Sequence, residues 1–151
     1  MELSDFLTPD RCLCKIQGFS KKRLLKTLST ILGKSFSNLD ENQVFDSMMA
    51  REKLGSTGIG NGIAIPHCRV PDCHEITGCL ITLDTFIDYD STDEKPVDLI
   101  FVLIVPEEQE EEHVKTLAVL AEKFHSKSFC DSLRNSQNND ELYQHAISHK
   151  C

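Results

Sequence analysis

Between Ser20 and Gly33 the apolar residues Leu24, Leu25, Leu28, Ile31 and Leu32 fall at i, i+1, i+4, i+7 and i+8, the spacing of one helical face. Ser20 is placed to cap that helix and Gly33 to end it. A second helical pattern opens at Asp40-Glu-Asn-Gln43, which has the form of a capping box. It continues through Val44, Phe45, Met48 and Met49 and stops at Leu54-Gly55. Val114, Leu117, Ala118, Ala121 and Phe124 outline a third helix, Asp140–Ser148 a fourth, and Ser128–Arg134 a short helical turn between them. Strand signals are clearest at 79–84 and 97–105, with shorter ones at 13–16 and 63–65. The run at 97–105 barely alternates and is almost wholly β-branched or large, the signature of a strand buried on both faces. Helices must then cover both sides of a sheet, which predicts an α/β domain.

The chain has 151 residues, with no internal repeat and no linker that would divide it, so residues 1–151 read as one domain. Lysine and arginine total 16 against 24 acidic residues, a net charge of −8. That balance disfavours a dedicated nucleic-acid binder, whose affinity comes from cations set against phosphates. The longest apolar run, Leu99–Val105, is too short to span a bilayer, and the N-terminus lacks the basic flank and apolar core of a secretory signal. No membrane insertion is expected. The 7 cysteines, an odd number, read as reduced thiols of a cytoplasmic protein.

The chemistry concentrates in residues 51–68, Arg-Glu-Lys-Leu-Gly-Ser-Thr-Gly-Ile-Gly-Asn-Gly-Ile-Ala-Ile-Pro-His-Cys. Glycines at 55, 58, 60 and 62 free the backbone to turn amides inward, and successive inward amides form an anion nest. The loop lacks the Gly-Lys-Ser/Thr of a P-loop, and Ile63 stands where a dinucleotide fingerprint needs its third glycine. No cofactor is called for. A glycine cluster alone reads as a tight turn. Pro66, however, delivers the chain to His67 with its direction fixed. Neutral imidazole keeps a free lone pair near pH 7, and phosphoryl transfer mainly needs donors aimed at the equatorial oxygens. Glycine loop, rigid proline and histidine together point to a phosphorus-directed nucleophile.

These residues resemble the IIA components of the bacterial phosphoenolpyruvate-dependent phosphotransferase system, in the fructose/mannitol superfamily and nearest its nitrogen-regulatory type. The likeness runs from Arg51-Glu52 through Ser56-Thr-Gly-Ile-Gly to Ala64-Ile-Pro-His67. It continues through Pro96–Pro106 and His113-x-x-x-Leu117 to Asp140-Glu-Leu-Tyr143. The resemblance implies a mixed sheet flanked by helices on both faces. It also implies phosphorylation of His67 at Nε2 by a phosphohistidine on a small histidine phosphocarrier protein, His113 as a second active-site histidine, and Arg51 as the neighbouring arginine. His113, Leu117 and Leu120 share a helical face, so the histidine leans inward, where it can donate to phosphate. Two uses of this chemistry follow. A nitrogen-type protein is a phosphorylation-dependent switch acting on targets such as a sensor kinase or a transporter component. A sugar-transport IIA passes the phosphoryl group to a IIB component.

Several residues keep two readings. Ser56, Thr57, Gly58 and Gly60 are candidate phosphate donors or simply the fabric of the turn. Arg69 lies nearer His67 in sequence than Arg51 does, and it also reads as a surface charge. The glutamates at 107, 108, 110, 111 and 112 suit a helix N-terminus and also suit steering of a basic carrier. Cys68 stands where glycine is common in the family. With His67, Cys73 and His74 it suggests a zinc site, but the spacing is loose, and no metal is expected. A cysteine hydrolase is disfavoured because neighbours in an extended chain face opposite ways. Oxidation of Cys68 that blocks phosphorylation is a further possibility.

Overall fold

Val97–Pro106 is the strand around which the molecule is organised, and every residue in it except Asp98 is buried. The computed structural model describes residues 2–108 and 110–148, the side chain of Glu110 excepted. After two short 3-10 turns come β1 (Cys12–Ile16), α1 (Lys21–Ser35) and α2 (Glu41–Lys53). Three short strands follow: β2 (Gly58–Gly60), β3 (Ile63–Ala64) and β4 (His67–Val70). Then come β5 (Thr77–Ile87), β6 (Val97–Pro106), α3 (Glu110–His125), α4 (Lys127–Arg134) and α5 (Asn139–Ser148).

The strands form one mixed sheet in the order β1-β5-β6-β3-β2, with β4 also paired to β6. β5 runs antiparallel to β6, while β3 and β4 both run parallel to it. β3 aligns Ile63 with Leu99, and β4 aligns His67 with Leu103. The two are thus one line of chain along the same edge of β6, interrupted at Ile65-Pro66.

Alternate residues of the sheet feed two cores. Ile100, Val102 and Ile104 pack with Leu25, Leu28, Val44 and Met48 under α1 and α2. Leu99, Phe101 and Leu103 pack with Leu120, Phe124, Phe129 and Leu142 under α3, α4 and α5. Each such side chain, fully buried, contributes about 1.5–3 kcal/mol. Edge-on ring contacts of Phe101 with Phe6 and Phe124 tie the second core together. Helices on both faces of a mixed sheet are what the doubly buried run at 97–105 requires.

Ser20 caps α1 as expected, its Oγ accepting from the Arg23 N–H at 3.2 Å. Gly33 does not end that helix, which continues to Ser35. A Cβ at Gly33 would lie 2.9 Å from Glu41 Cβ, so the glycine serves the close approach of α2 to α1. Asp40 caps α2 through the Asn42 N–H, one residue short of the capping-box position.

The phase of α3 also differs from the expected stripe. Leu120 and Phe124 are buried and Leu117 half-buried, but Ala118 and Ala121 are exposed and Val114 is 63% exposed. Leu120 and Phe124 bury far more area than the two alanines, so they set the rotation and turn His113 inward. β2 and β4 gave no strand signal in the sequence: the glycine-rich β2 carries no period-two pattern, and β4 is only four residues long. Asn61 and Gly62, at φ 57° and 79°, make the two-residue turn between β2 and β3 that needs left-handed backbone at both positions.

Candidate active site

Pro66 has no N–H to lose to the ladder, and its carbonyl still accepts from the Leu103 N–H at 2.9 Å. The chain therefore stays on β6 through the break and places His67 as the first residue of β4, half-buried, with Cys68 turned to the opposite face.

The His67 ring is oriented at both nitrogens. Nδ1 lies 2.7 Å from the Ile65 carbonyl oxygen, which can only accept, so Nδ1 carries the proton. Nε2 is left with its lone pair. The Arg51 Nε–H donates to Nε2 at 3.3 Å, which requires the same tautomer. Burial lowers the His67 pKa most; the Arg51 charge lowers it further, while the Ile65 hydrogen bond and the Glu52 charge act against the shift. The result is a neutral imidazole at pH 7 with an oriented nucleophilic nitrogen.

Arg51 reaches His67 from the last turn of α2, and its Nη1–H donates to the Gly55 carbonyl at 2.9 Å, so the side chain is held at two points. His113, in the first turn of α3, brings its ring centroid to 5.4 Å from that of His67 at an interplanar angle of 68°. His67, Arg51 and His113 line one open cavity of about 550 Å³, together with Arg69, Glu107 and Cys68. Apolar side chains stand beside this charged group: Leu54, 84% exposed, and Val114, 63% exposed, line the same cavity.

Ser56, Thr57, Gly58 and Gly60 do not line that cavity. The Ser56 hydroxyl donates to the Tyr89 carbonyl at 2.9 Å and accepts from the Gly58 N–H at 3.1 Å. Thr57 is buried. Its N–H and Oγ1–H both donate to the Glu52 carboxylate, at 3.1 and 2.7 Å, and its Oγ1 lies 3.1 Å from the Tyr89 hydroxyl. Lys21 pairs with Glu52 at 3.1 Å and lies over the Tyr89 ring. These donors are committed inside the turn, so the turn holds the Gly55 carbonyl that anchors Arg51. Glu52, Tyr89 and Lys21 had no assigned part in the sequence reading. Of these only Glu52 carried a signal, as the neighbour of Arg51 in the quoted motif.

The thiol alternatives fit the structure poorly. Cys68 is 6% exposed, and burial pushes its thiol up to about 12, so it is neither a thiolate nucleophile nor readily oxidised. Cys73 donates to the Glu75 carbonyl and is buried, while His74 is exposed. Among the described residues no group of three or more His, Cys, Asp or Glu side chains converges as a metal site. Nor is any helix there long and apolar enough to cross a membrane.

The sequence profile of the phosphoenolpyruvate-dependent sugar phosphotransferase system, EIIA 2, matches residues 5–149. The chain belongs to this family. It is 42% identical over 144 residues to the nitrogen regulatory protein of Pseudomonas aeruginosa, covering 95% of this chain and 94% of that one. The crystal structure of the nitrogen regulatory protein IIA-Ntr from Neisseria meningitidis superposes with a TM-score of 0.89 at 38% identity, covering 95% of this chain and 98% of that one. A fructose-like EIIA component of Escherichia coli is more distant, 30% identical over 127 residues, covering 84% of this chain and 86% of that one. Within the EIIA family, then, this domain is a homologue of the nitrogen regulatory proteins.

Proposed function

We propose that this EIIA domain carries a phosphoryl group on Nε2 of His67 and acts as a phosphorylation-dependent switch. The observation that carries the reading is the ring itself. Its Nδ1 proton is held by the Ile65 carbonyl, and its Nε2 lone pair is turned toward Arg51 and the open cavity.

In the proposed transfer, the donor is a phosphohistidine on a small histidine phosphocarrier protein. The Nε2 lone pair forms the new N–P bond as the donor's N–P bond breaks, and the donor imidazole departs with that electron pair. No proton need move for the exchange, because His67 keeps its proton on Nδ1 throughout. The Arg51 guanidinium passes from Nε2 to the phosphoryl oxygens, where a planar fork of donors suits three equatorial oxygens. His113, at the N-terminal turn of α3, and the positive end of that helix stabilise the same charge. Ser56, Thr57, Gly58 and Gly60 support the site from behind by fixing Gly55 rather than by touching phosphate. Leu54 and Val114 supply apolar contact for a docked protein, which suits a macromolecular donor better than a small molecule.

The regulatory use is favoured over sugar transport by the comparisons. Likeness to a nitrogen regulatory protein is 42% over 95% of the chain, against 30% over 84% for a fructose-like component. A phosphoryl group adds about −1.5 to −2 charge at the cavity mouth. A target seated on Leu54 and Val114, such as a sensor kinase or a transporter component, would be released or recruited by that change. We place the relay in the cytoplasm, in keeping with free thiols at Cys12, Cys14, Cys68, Cys73, Cys79 and Cys130.

The test is intact mass after incubation with phosphoenolpyruvate, enzyme I and the histidine phosphocarrier. A gain of one acid-labile phosphoryl group, absent in His67→Ala, supports the carrier reading; no gain with competent donors overturns it. Sugar phosphorylation that depends on this chain would favour the transport alternative.

A further inference from the structure

α1 contains Lys21, Lys22, Arg23, Lys26 and Lys34 and no acidic residue, in a chain whose net charge is −8. Three of those cations crowd the first turn, where the helix dipole disfavours them. The outer side of α1 and β1, the strand at one end of the sheet order, border a groove of about 600 Å³. Its apolar surface includes Ile16, Phe19 and Ile31, with Phe19 52% exposed, and its charged residues are Arg23, Lys26 and Lys34.

Lys21 at the start of the same helix pairs with Glu52, and away from it Lys127 pairs with Asp131 and Arg134 with Asp98. Among the described residues no carboxylate pairs with Arg23, Lys26 or Lys34. Two of them are nevertheless held in place. The Arg23 guanidinium stacks 4.0 Å from the Phe19 ring centroid, and Lys26 lies 5.3 Å from that of Phe45 while donating to Asn42 Oδ1 at 3.1 Å. Cations fixed on aromatic faces and lacking carboxylate partners lose little freedom on meeting one.

We propose that this groove is a second docking surface, and that it takes an acidic amphipathic segment of a partner protein. The apolar floor accepts aliphatic anchors and the cationic walls accept the carboxylates beside them, a helix-in-groove mode. An apolar floor is of no use to a phosphate backbone, and a concave recess does not match a flat bilayer, so a protein segment suits it better than nucleic acid or lipid. The groove shares no lining residue with the cavity around His67. Docking here is therefore insensitive to the state of His67 and can hold a partner while the other site switches.

The probe is a synthetic amphipathic helix of about 18 residues, leucine on one face and glutamate on the other, with a lysine-for-glutamate counterpart as control. Amide chemical shifts of the full chain are followed during titration. The expected result is movement of α1 and β1 signals with the acidic peptide, weakening as salt rises. Affinity should fall at least tenfold in Arg23→Glu/Lys26→Glu/Lys34→Glu and also in the milder Arg23→Gln/Lys26→Gln/Lys34→Gln, while the phosphorylation rate of His67 is unchanged. The proposal is overturned by equal binding of the basic peptide, by shifts confined to the His67 cavity, or by no groove shifts up to about 1 mM peptide. It is equally overturned if anionic phosphatidylglycerol vesicles or duplex DNA move the groove signals and the acidic peptide does not.

Discussion

The two nitrogens of His67 have different work, and the contacts around the ring separate it. Ile65 holds the proton on Nδ1, and burial, helped by Arg51, keeps the ring neutral, so Nε2 stays nucleophilic below the ordinary histidine pKa of about 6.5. Phosphoryl acceptance should thus persist as pH falls below 6.5 and fail only through the lowered value, as a titration of the ring carbon-bound proton signals alongside the rate would show. The same shift bears on stability. The unfolded chain binds this proton more readily, so stability is full above about pH 6.5, declines as pH falls toward the lowered pKa, and levels off beneath it. Arg51 acts at close range through two separate donors, one on Nε2 and one on Gly55. Arg51→Ala should slow phosphorylation by about 10²-fold, and Arg51→Lys should recover only a small part, because a point charge cannot make both bonds. Rates from stopped transfer reactions on folded variants distinguish these outcomes. The proposal of His67 as nucleophile came from the glycine loop, Pro66 and the histidine together. Arg51 over Arg69, and His113 at all, rested on family resemblance, since neither spacing says which distant side chain will meet the ring.

At the scale of elements, the strongly patterned segments were legible and the glycine-rich ones were not. The β6 run and the α1 and α2 stripes carry enough apolar area to dictate their own burial. The stretch from Gly55 to Gly62 carries little, and its conformation comes from Glu52, Tyr89 and Ser91, which lie elsewhere in the chain or had no pattern to mark them. Gly58 illustrates the point. A Cβ there would fall 2.9 Å from Ser91 Cβ, and Ser91 Oγ is itself buried with no hydrogen-bond partner among the described residues. Gly58→Ala should cost about 1–3 kcal/mol by overpacking. Ser91→Gly in the same chain should return part of that loss, with a coupling visible in a urea-denaturation double-mutant cycle. Additive losses would mean that the two residues do not meet. The phase of α3 failed in sequence for a related reason, since Ala118 and Ala121 fit the periodicity but bury too little to set it.

Across the whole molecule, the sheet separates two helical layers and brings the end of α2, the start of β4 and the start of α3 to one surface. They bring Arg51, His67 and His113 to the cavity, and the ends of α2 and α3 place an exposed apolar side chain beside these, Leu54 and Val114. Surface apolar residues at the mouth of a polar site point to protein docking. Leu54→Asp and Val114→Asp should therefore raise the KM for the phosphocarrier several-fold while leaving the His67 titration in place. Equal KM values would remove the docking role. The central claim is narrower than any partner. It is that phosphorus is carried on Nε2 of His67, with the proton retained on Nδ1. Phosphorus–nitrogen coupling in the histidine-¹⁵N-labelled, enzymatically phosphorylated protein tests it directly. A one-bond coupling from ³¹P to Nε2 of His67 is the predicted result, and coupling to Nδ1, or to His113 or any other histidine, would contradict it.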